Sequence, residues 1–477
     1  MSKVRRVPRV SAGTLLLGTL ILVWFLLFAH RGIFADFSVD DLMNLDYYVH
    51  QGGVKTIRAA IEVFTSYYRP LGGVFYLGLS KTFGLHPLPF RLVCFALLLL
   101  NLILFYRFFR LLSGRRDLAW IAVFLVSYHA WFVDLYYSSG TIYELLCVFF
   151  YLLAFTIYVK IRSSGQQPEI KHWLLIVVLY AAALDSKELG VTLPLFIGLY
   201  ELIYSPPDSI RQIGAWILKT GRAALVLGLM TVPYIWCKMA AGGLGQEPLY
   251  KPRISPFVYM HSFQIYLNPF FYMDHVLRGG SSMVLLGALL IIALAMRQRY
   301  LIFGWFFLTL SVLPFIFIPH YAAFFFYLPA IGWAILGAGL LLSIRDLLIS
   351  MLTKAGVPEG SKSQTIVLCI LLIPVIACLA VGHVRESRET LSLFQRAQVP
   401  LSPLLKGLQS ICAEKKGGTT LWFRHDPFPK DSYTLQQAVY LTCGGDTKVI
   451  RGGTASNGEA IALSYDGQQL RTDENGN

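Results

Sequence analysis

The sequence is short of charge. Asp, Glu, Lys and Arg together make up 14% of its 477 residues, against about a quarter in ordinary globular domains. That shortage excludes a disordered chain and argues against a soluble enzyme. Cysteine is sparse as well: seven residues, without the paired spacing of a zinc or redox motif. The chain has no Walker A loop and no GxGxxG in a strand-to-helix context, so it carries no nucleotide-site signature. No period of about 20–50 residues repeats, which excludes a helical repeat array. The first apolar run is not followed by a small-residue cleavage site, so it reads as a retained signal anchor.

What fills the chain is apolar. Hydrophobic residues are 56% of the total, and the mean hydropathy is +0.58. Those values point to a protein that crosses a bilayer many times. Eleven apolar runs predict spans near 11–29, 88–106, 118–132, 141–159, 173–186, 189–204, 220–238, 281–297, 301–318, 322–344 and 364–383. The net charge of +14 follows from the positive-inside rule and implies no nucleic-acid partner. With the basic N-terminus (Lys3, Arg5, Arg6, Arg9) kept cytoplasmic, Lys and Arg make up roughly a quarter of the cytoplasmic loops and roughly a tenth of the others.

The predicted fold is an all-α polytopic membrane module over 1–383, followed by a small α/β domain over 384–477 on the outside face. Two outside loops, about 30–87 and 239–280, are rich in aromatics and suit segments lying at the interface. In the tail, Thr420 to Arg424 reads as a strand, Thr434 to Leu441 as a helix and Ile461 to Tyr465 as a strand. Cys412 and Cys443 both fall there, and the sequence leaves open whether they pair.

Charge in so apolar a chain needs a reason. Asp40 and Asp41 follow the first span, in Phe37-Ser38-Val39-Asp40-Asp41-Leu42. One reading is a helix N-cap by Ser38 or Asp40, with Asp41 favouring the helix dipole. The other is a carboxylate that takes a proton from an acceptor hydroxyl or helps to hold a divalent ion, Mg²⁺ or Mn²⁺. Arg69, in Ser66-Tyr67-Tyr68-Arg69-Pro70-Leu71, suits anion binding or interfacial anchoring. Glu144 stands in the first turn of the fourth span, just after Asp134. Asp185-Ser186-Lys187-Glu188 divides two apolar runs. That turn is either a tight loop at the headgroups or a site facing a phosphate. His320-Tyr321 closes a later turn.

Taken in order, these pieces resemble the GT-C superfamily of multi-span glycosyltransferases, and within it the protein O-mannosyltransferase branch that includes the transmembrane-and-tetratricopeptide mannosyltransferases. The resemblance covers about residues 10–345. It rests on Asp40-Asp41, Tyr68-Arg69-Pro70-Leu71, the run Gly84-Leu85-His86-Pro87-Leu88-Pro89-Phe90-Arg91-Leu92, Glu144, Ser186-Lys187-Glu188-Leu189-Gly190-Val191-Thr192 and Tyr327-Leu328-Pro329-Ala330-Ile331-Gly332.

The resemblance implies a polyprenyl-phosphate-linked sugar as donor, with mannose favoured. The acceptor hydroxyl would belong to a protein, lipid or glycan, and the anomeric carbon would invert. It also implies Asp40 as general base and Asp41 as its neighbour in catalysis. Lys187, Arg69 and His320 would meet the donor phosphate, with Glu144 and Glu188 in support. Two departures stand out. Where the mannosyltransferases carry a Glu-Arg pair before Tyr-Leu-Pro, this chain has Ala323 and Phe324. The repeat array is absent, with the tail in its place, which suits a bacterial inner membrane with a periplasmic tail. A transporter or flippase for a lipid or lipid-linked sugar is the alternative. It predicts charges deep within spans and inverted repeats, whereas the charges here gather at outside loops.

Overall fold

The computed structural model describes residues 12–62, 64, 67–240, 250–272, 277, 280–414, 419–452 and 460–473. The basic cluster at Lys3, Arg5, Arg6 and Arg9, and Ser66 of the aromatic Arg motif, lie outside the described residues.

The chain is almost wholly helical up to residue 397. α1 (Ala12–Ala29) runs through a 3₁₀ turn into α2 (Val39–Gln51), α3 (Gly53–Ile61) and α4 (Pro70–Phe83). The long α5 (Pro87–Ser113) follows, then α6 (Arg116–Ser127), α7 (Val133–Tyr137) and α8 (Ile142–Ser163). Next come α9 (Ile170–Ser186), α10 (Leu193–Tyr204), α11 (Ile213–Lys219), α12 (Arg222–Ala240) and α13 (Pro256–Leu267). The bundle closes with α14 (Ser281–Ala295), α15 (Arg299–Leu310), α16 (Ala330–Lys354) and α17 (Lys362–Ala397).

Six helices among the described residues are long and apolar enough to cross a bilayer: α1, α5, α8, α12, α16 and α17. A seventh results if α6 and α7, bent by 54°, count as one broken span. The sequence predicts eleven spans. The five remaining runs are helical, but their helices are 12 to 17 residues long. α9 has 17 residues and stops at Ser186, where Lys187 turns extended (φ −158°). α10 has 12 residues and starts at a proline turn. α15 ends at Leu310, short of the predicted 318.

The core is packed with rings and small residues. α15 and α16 touch backbone to backbone at Gly304 and Gly332. A Cβ on Gly332 would come within 2.4 Å of the Leu308 nitrogen, closer than any real contact, so the glycine of Ala330-Ile331-Gly332 sets that crossing. Charge is segregated by end. α5 and α8 start, and α9 finishes, at the end that holds Arg91, Glu144 and Lys187. Arg110, Arg115, Arg116, Arg162 and Lys171 therefore gather at the opposite end.

α17 spans 36 residues without a break, or about 54 Å, and passes straight through residue 384. The tail follows: α18 (Ser402–Glu414), β1 (Thr420–His425), α19 (Thr434–Cys443), β2 (Lys448–Arg451), β3 (Ile461–Tyr465) and β4 (Leu470–Thr472). The sheet order is β2-β1-β3-β4, with β1 parallel to both neighbours and β4 antiparallel to β3. Leu421, Phe423, Leu463 and Tyr465 point into its core with Leu404, Leu405, Leu408 and Leu435. Cys412 and Cys443 form a disulfide that joins α18 to α19.

Candidate functional site

The site begins with how α2 starts. Ser38 is its N-cap, extended at φ −90° and ψ 167°, and it forms a capping box with Asp41. The Ser38 N–H donates to Asp41 Oδ2 at 2.8 Å, and the Ser38 hydroxyl donates to the same oxygen at 2.9 Å. Tyr76 donates its hydroxyl to Asp41 Oδ1 at 2.8 Å. Both Asp41 oxygens are thus engaged by the fold, and the side chain is fully buried. Of the two sequence readings, the N-cap by Ser38 is the one the geometry shows, with Asp41 closing its capping box. The box satisfies two helix N–H groups reciprocally, and it fixes the rotation of α2 so that Asp40, one residue earlier, faces away from the core.

Asp40 is reached by solvent. Protein surrounds it closely enough that burial raises its carboxyl above the ordinary value, while the charges of His320 and Lys187 pull it back. Its wall is the 3₁₀ turn Ser139–Thr141. A Cβ on Gly140 would lie 3.0 Å from Asp40 Cβ and 3.7 Å from Oδ2. Ser38 and Ser138 hydroxyls meet at 3.0 Å and tie that turn to the cap of α2.

Lys187 is 8% exposed and ion-paired with Glu144, itself 1% exposed. Its Nζ also lies 4.9 Å from the ring centroid of Phe325 and 5.6 Å from that of Phe324. Aromatic faces therefore flank the cation. Asp134 lies close enough to repel both Asp40 and Glu144. His320 is partly buried, with its ring 5.0 Å from that of Tyr250.

Arg69 stands behind this pair. Its Nη2 donates to Glu188 Oε2 at 2.8 Å and its Nε to Oε1 at 3.3 Å. The guanidinium lies 4.6 Å from the Tyr68 ring and 5.0 Å from the Tyr143 ring. Burial works to raise the Glu188 carboxyl, but Arg69 and Lys187 outweigh it and hold it at about 2. The Arg69 backbone is left-handed, φ 39° and ψ 66°, a conformation that a non-glycine residue adopts at a cost of about 1–3 kcal/mol. The Tyr48 hydroxyl contacts the carbonyls of Tyr68 and Arg69 at 3.2 and 3.1 Å, which holds the turn.

The fold therefore brings Asp40, Lys187, Glu144, Arg69, Glu188 and His320 to one end of the bundle. A divalent ion shared by Asp40 and Asp41 does not fit, because Asp41 is committed to Ser38 and Tyr76. Among the described residues no group of three or more His, Cys, Asp or Glu side chains is placed to hold a metal. We therefore derive no step through an ion.

Several contributors carry no charge and so gave no signal against the apolar background. Gly140, Tyr143 and Phe325 are of that kind. Tyr250, electrostatically linked to Arg69 and Asp40, lies between α12 and α13. Asp185 is buried beside Lys238, which is also linked electrostatically to Glu188 and Arg69 and whose Nζ donates to the Tyr67 carbonyl at 2.6 Å. No model of a known protein family matches the chain, and no characterised protein matches it in sequence.

Proposed function

We propose that the protein is an inverting glycosyltransferase of a membrane face, moving a sugar from a polyprenyl-phosphate donor to an acceptor hydroxyl. One observation carries this reading: Asp40, a carboxylate that solvent reaches, lies within electrostatic reach of Lys187 and His320 at one end of an apolar bundle. A lipid-linked phosphate is a substrate that such a bundle end can meet without a nucleotide fold.

The reaction is one displacement. The acceptor oxygen attacks the sugar C1 while its proton passes to Asp40. The bond from C1 to the phosphate oxygen breaks on the opposite face, and polyprenyl phosphate leaves with the electron pair. The negative charge that grows on the phosphate is met by Lys187, Arg69 and His320, set in place before the reaction. Burial strengthens Asp40 as a base, and the same neighbouring cations keep it ionised. Asp41 acts through the helix: it holds the cap that aims Asp40. By the positive-inside rule the cationic end is cytoplasmic, which puts the site and tail on the outer face. A bacterial inner membrane and mannose as the sugar belong to the same proposal.

The test is purified protein in lipid with labelled polyprenyl-phosphate mannose and glucose, beside Asp40→Asn. Asp40-dependent release of sugar to water or to an acceptor extract supports the reading and identifies the sugar. Flipping of the labelled lipid across vesicles by wild type and Asp40→Asn alike would favour the transporter instead.

A further inference from the structure

The tail holds α2 at both ends. At the start, the Asp36 carboxylate reaches the first turn of α18: Leu401 and Ser402 N–H donate to Oδ2 at 3.0 and 2.8 Å. The Ser402 hydroxyl adds a short contact to Oδ1. Asp36 thus caps a tail helix from a position two residues before the cap of α2. At the finish, α19 packs along α2, and Tyr440 stacks on His50 with ring centroids 3.7 Å apart and planes 15° apart. Between these two anchors the packing is open. A cavity of about 460 Å³ separates Leu45 and Val49 of α2 from Gln409 and Leu441 of the tail. The tail therefore grips α2 through Asp36 at its start and through α19, with Tyr440 on His50 near its end. The helices that make the two grips, α18 and α19, are joined by the Cys412–Cys443 disulfide.

We propose that the C-terminal domain is a clamp that positions Asp40, with Asp36 and Tyr440 as positioning residues and the disulfide as the pin that makes the two grips one rigid body. The functional part rests on Asp40 being the base; the mechanical part does not. With the pin intact, neither end of α2 moves without the other. With it cut, packing of α18 on α19 holds the two grips in register without the covalent link, and the first turn of α2, which carries Asp40, loses part of its fixed reference.

The test uses the full chain in lipid nanodiscs, treated with a water-soluble phosphine. The phosphine cleaves the S–S bond, each sulfur gains a proton, and the phosphine takes an oxygen from water. The gain of two thiols is confirmed by mass. Amide exchange over 39–51 should then speed up by about tenfold or more, while the centres of α5 and α8 stay protected. Asp36→Ala and Tyr440→Ala should do the same without reductant, Tyr440→Phe should restore protection, and Asp36→Asn should restore part of it. With labelled polyprenyl-phosphate mannose or glucose, kcat should fall by about tenfold with the donor KM unchanged, the signature of a misplaced base. The double variant Cys412→Ser/Cys443→Ser should show the fast exchange and no further response to phosphine.

Unchanged exchange in α2 after complete reduction overturns the clamp. So does loosened exchange with kcat intact in an active preparation. If wild type turns over neither donor, exchange alone still decides whether the clamp exists, and the failure belongs to the proposed reaction. If Asp36→Ala does not fold, reduction of folded wild type supplies the same measurement.

Discussion

Two buried ion pairs, one near each end of the bundle, are built from the same chemistry and satisfied differently. At the cationic end Glu201 is fully buried. It accepts from Arg162 Nε at 2.6 Å and Nη2 at 3.0 Å, and from the Tyr158 hydroxyl at 2.7 Å. At the site end Glu144 is equally buried, but its Oε1 is paired with Lys187 while among the described residues its Oε2 accepts no hydrogen bond. A buried pair repays its desolvation only when its remaining donors and acceptors are also met. The Arg162 pair meets that condition and reads as structure. The Lys187 pair does not, and it stands beside a solvent-reached carboxylate. The comparison teaches that burial of charge alone does not mark a site. Incomplete satisfaction of that charge, in a place a ligand can reach, does.

The largest expected effect tests the solvent-reached end of this contrast. Asp40→Asn should lower transfer by about 10³-fold or more, with abundance and melting unchanged, because among the described residues the Asp40 carboxylate has no hydrogen bond to lose. Sugar release and thermal denaturation measured on one preparation check both halves. Retained transfer would remove Asp40 as the base.

Next comes the pair itself. Removing one partner of a buried ion pair costs about 3–5 kcal/mol through the charge left behind, so both partners should change together. Lys187→Met with Glu144→Gln should lower transfer by about 10²-fold through loss of the cation at the phosphate. Arg162→Met with Glu201→Gln should leave transfer per folded molecule unchanged. Equal loss from both double variants would erase the distinction between the two ends. Lys187→Met with Glu144→Gln should also damage transfer more than Asp134→Ala. The reverse order would move the site towards the second outside loop.

A smaller effect is expected at a wall. Gly140→Ala puts a methyl group 3.0 Å from Asp40 Cβ, tighter than most real contacts, and the carboxylate has to give way. Displacement of a reacting group by a fraction of an ångström costs about tenfold in kcat. The substitution leaves charge and the ion pairs untouched, so donor KM should hold. A fall in both parameters, or a drop in melting temperature, would mean that the turn had distorted as a whole.

How much of this was legible in the sequence follows from contrast. In a chain with 14% charge, Asp40, Arg69, Glu144, Lys187, Glu188 and His320 stand out, and the fold brings all six to one end. Asp41 could not be separated from Asp40, because adjacent residues on a helix differ only in which way they face. The cap geometry of Ser38 decides that, and it depends on a bond to Ser138 a hundred positions on. All eleven apolar runs fall on helices, but only six to seven of those helices among the described residues are long and apolar enough to cross a bilayer, because hydropathy fixes where a run lies better than how long its helix is. The grip of the tail was invisible altogether: Asp36 and Ser402 are 366 positions apart, and neither residue type announces a partner. Nor did the sequence join Cys412 to Cys443. Two thiols in one domain pair only when folding brings their Cα atoms close, here to 5.3 Å.

The subtlest expected effect is in pH, and its sign follows from the balance at Asp40. Burial raises the carboxyl, and the positive charges of His320 and Lys187 lower it, with burial the larger. A base must be ionised to accept a proton, so transfer should fall as pH drops through the raised value. The acid limb of kcat/KM should therefore lie above the ordinary carboxylate position of about 4. Removing a cation that opposes burial should push the limb further up: His320→Gln is expected to move it to higher pH. Arg162→Met with Glu201→Gln, at the far end, is expected to leave it in place. A limb that moves down in His320→Gln would mean that His320 does not face Asp40 during turnover. A limb that also moves in the Arg162 variant would mean that the two ends are coupled through the bundle. Either result would replace the contrast between a satisfied pair and an available one with a single charge system running the length of the helices.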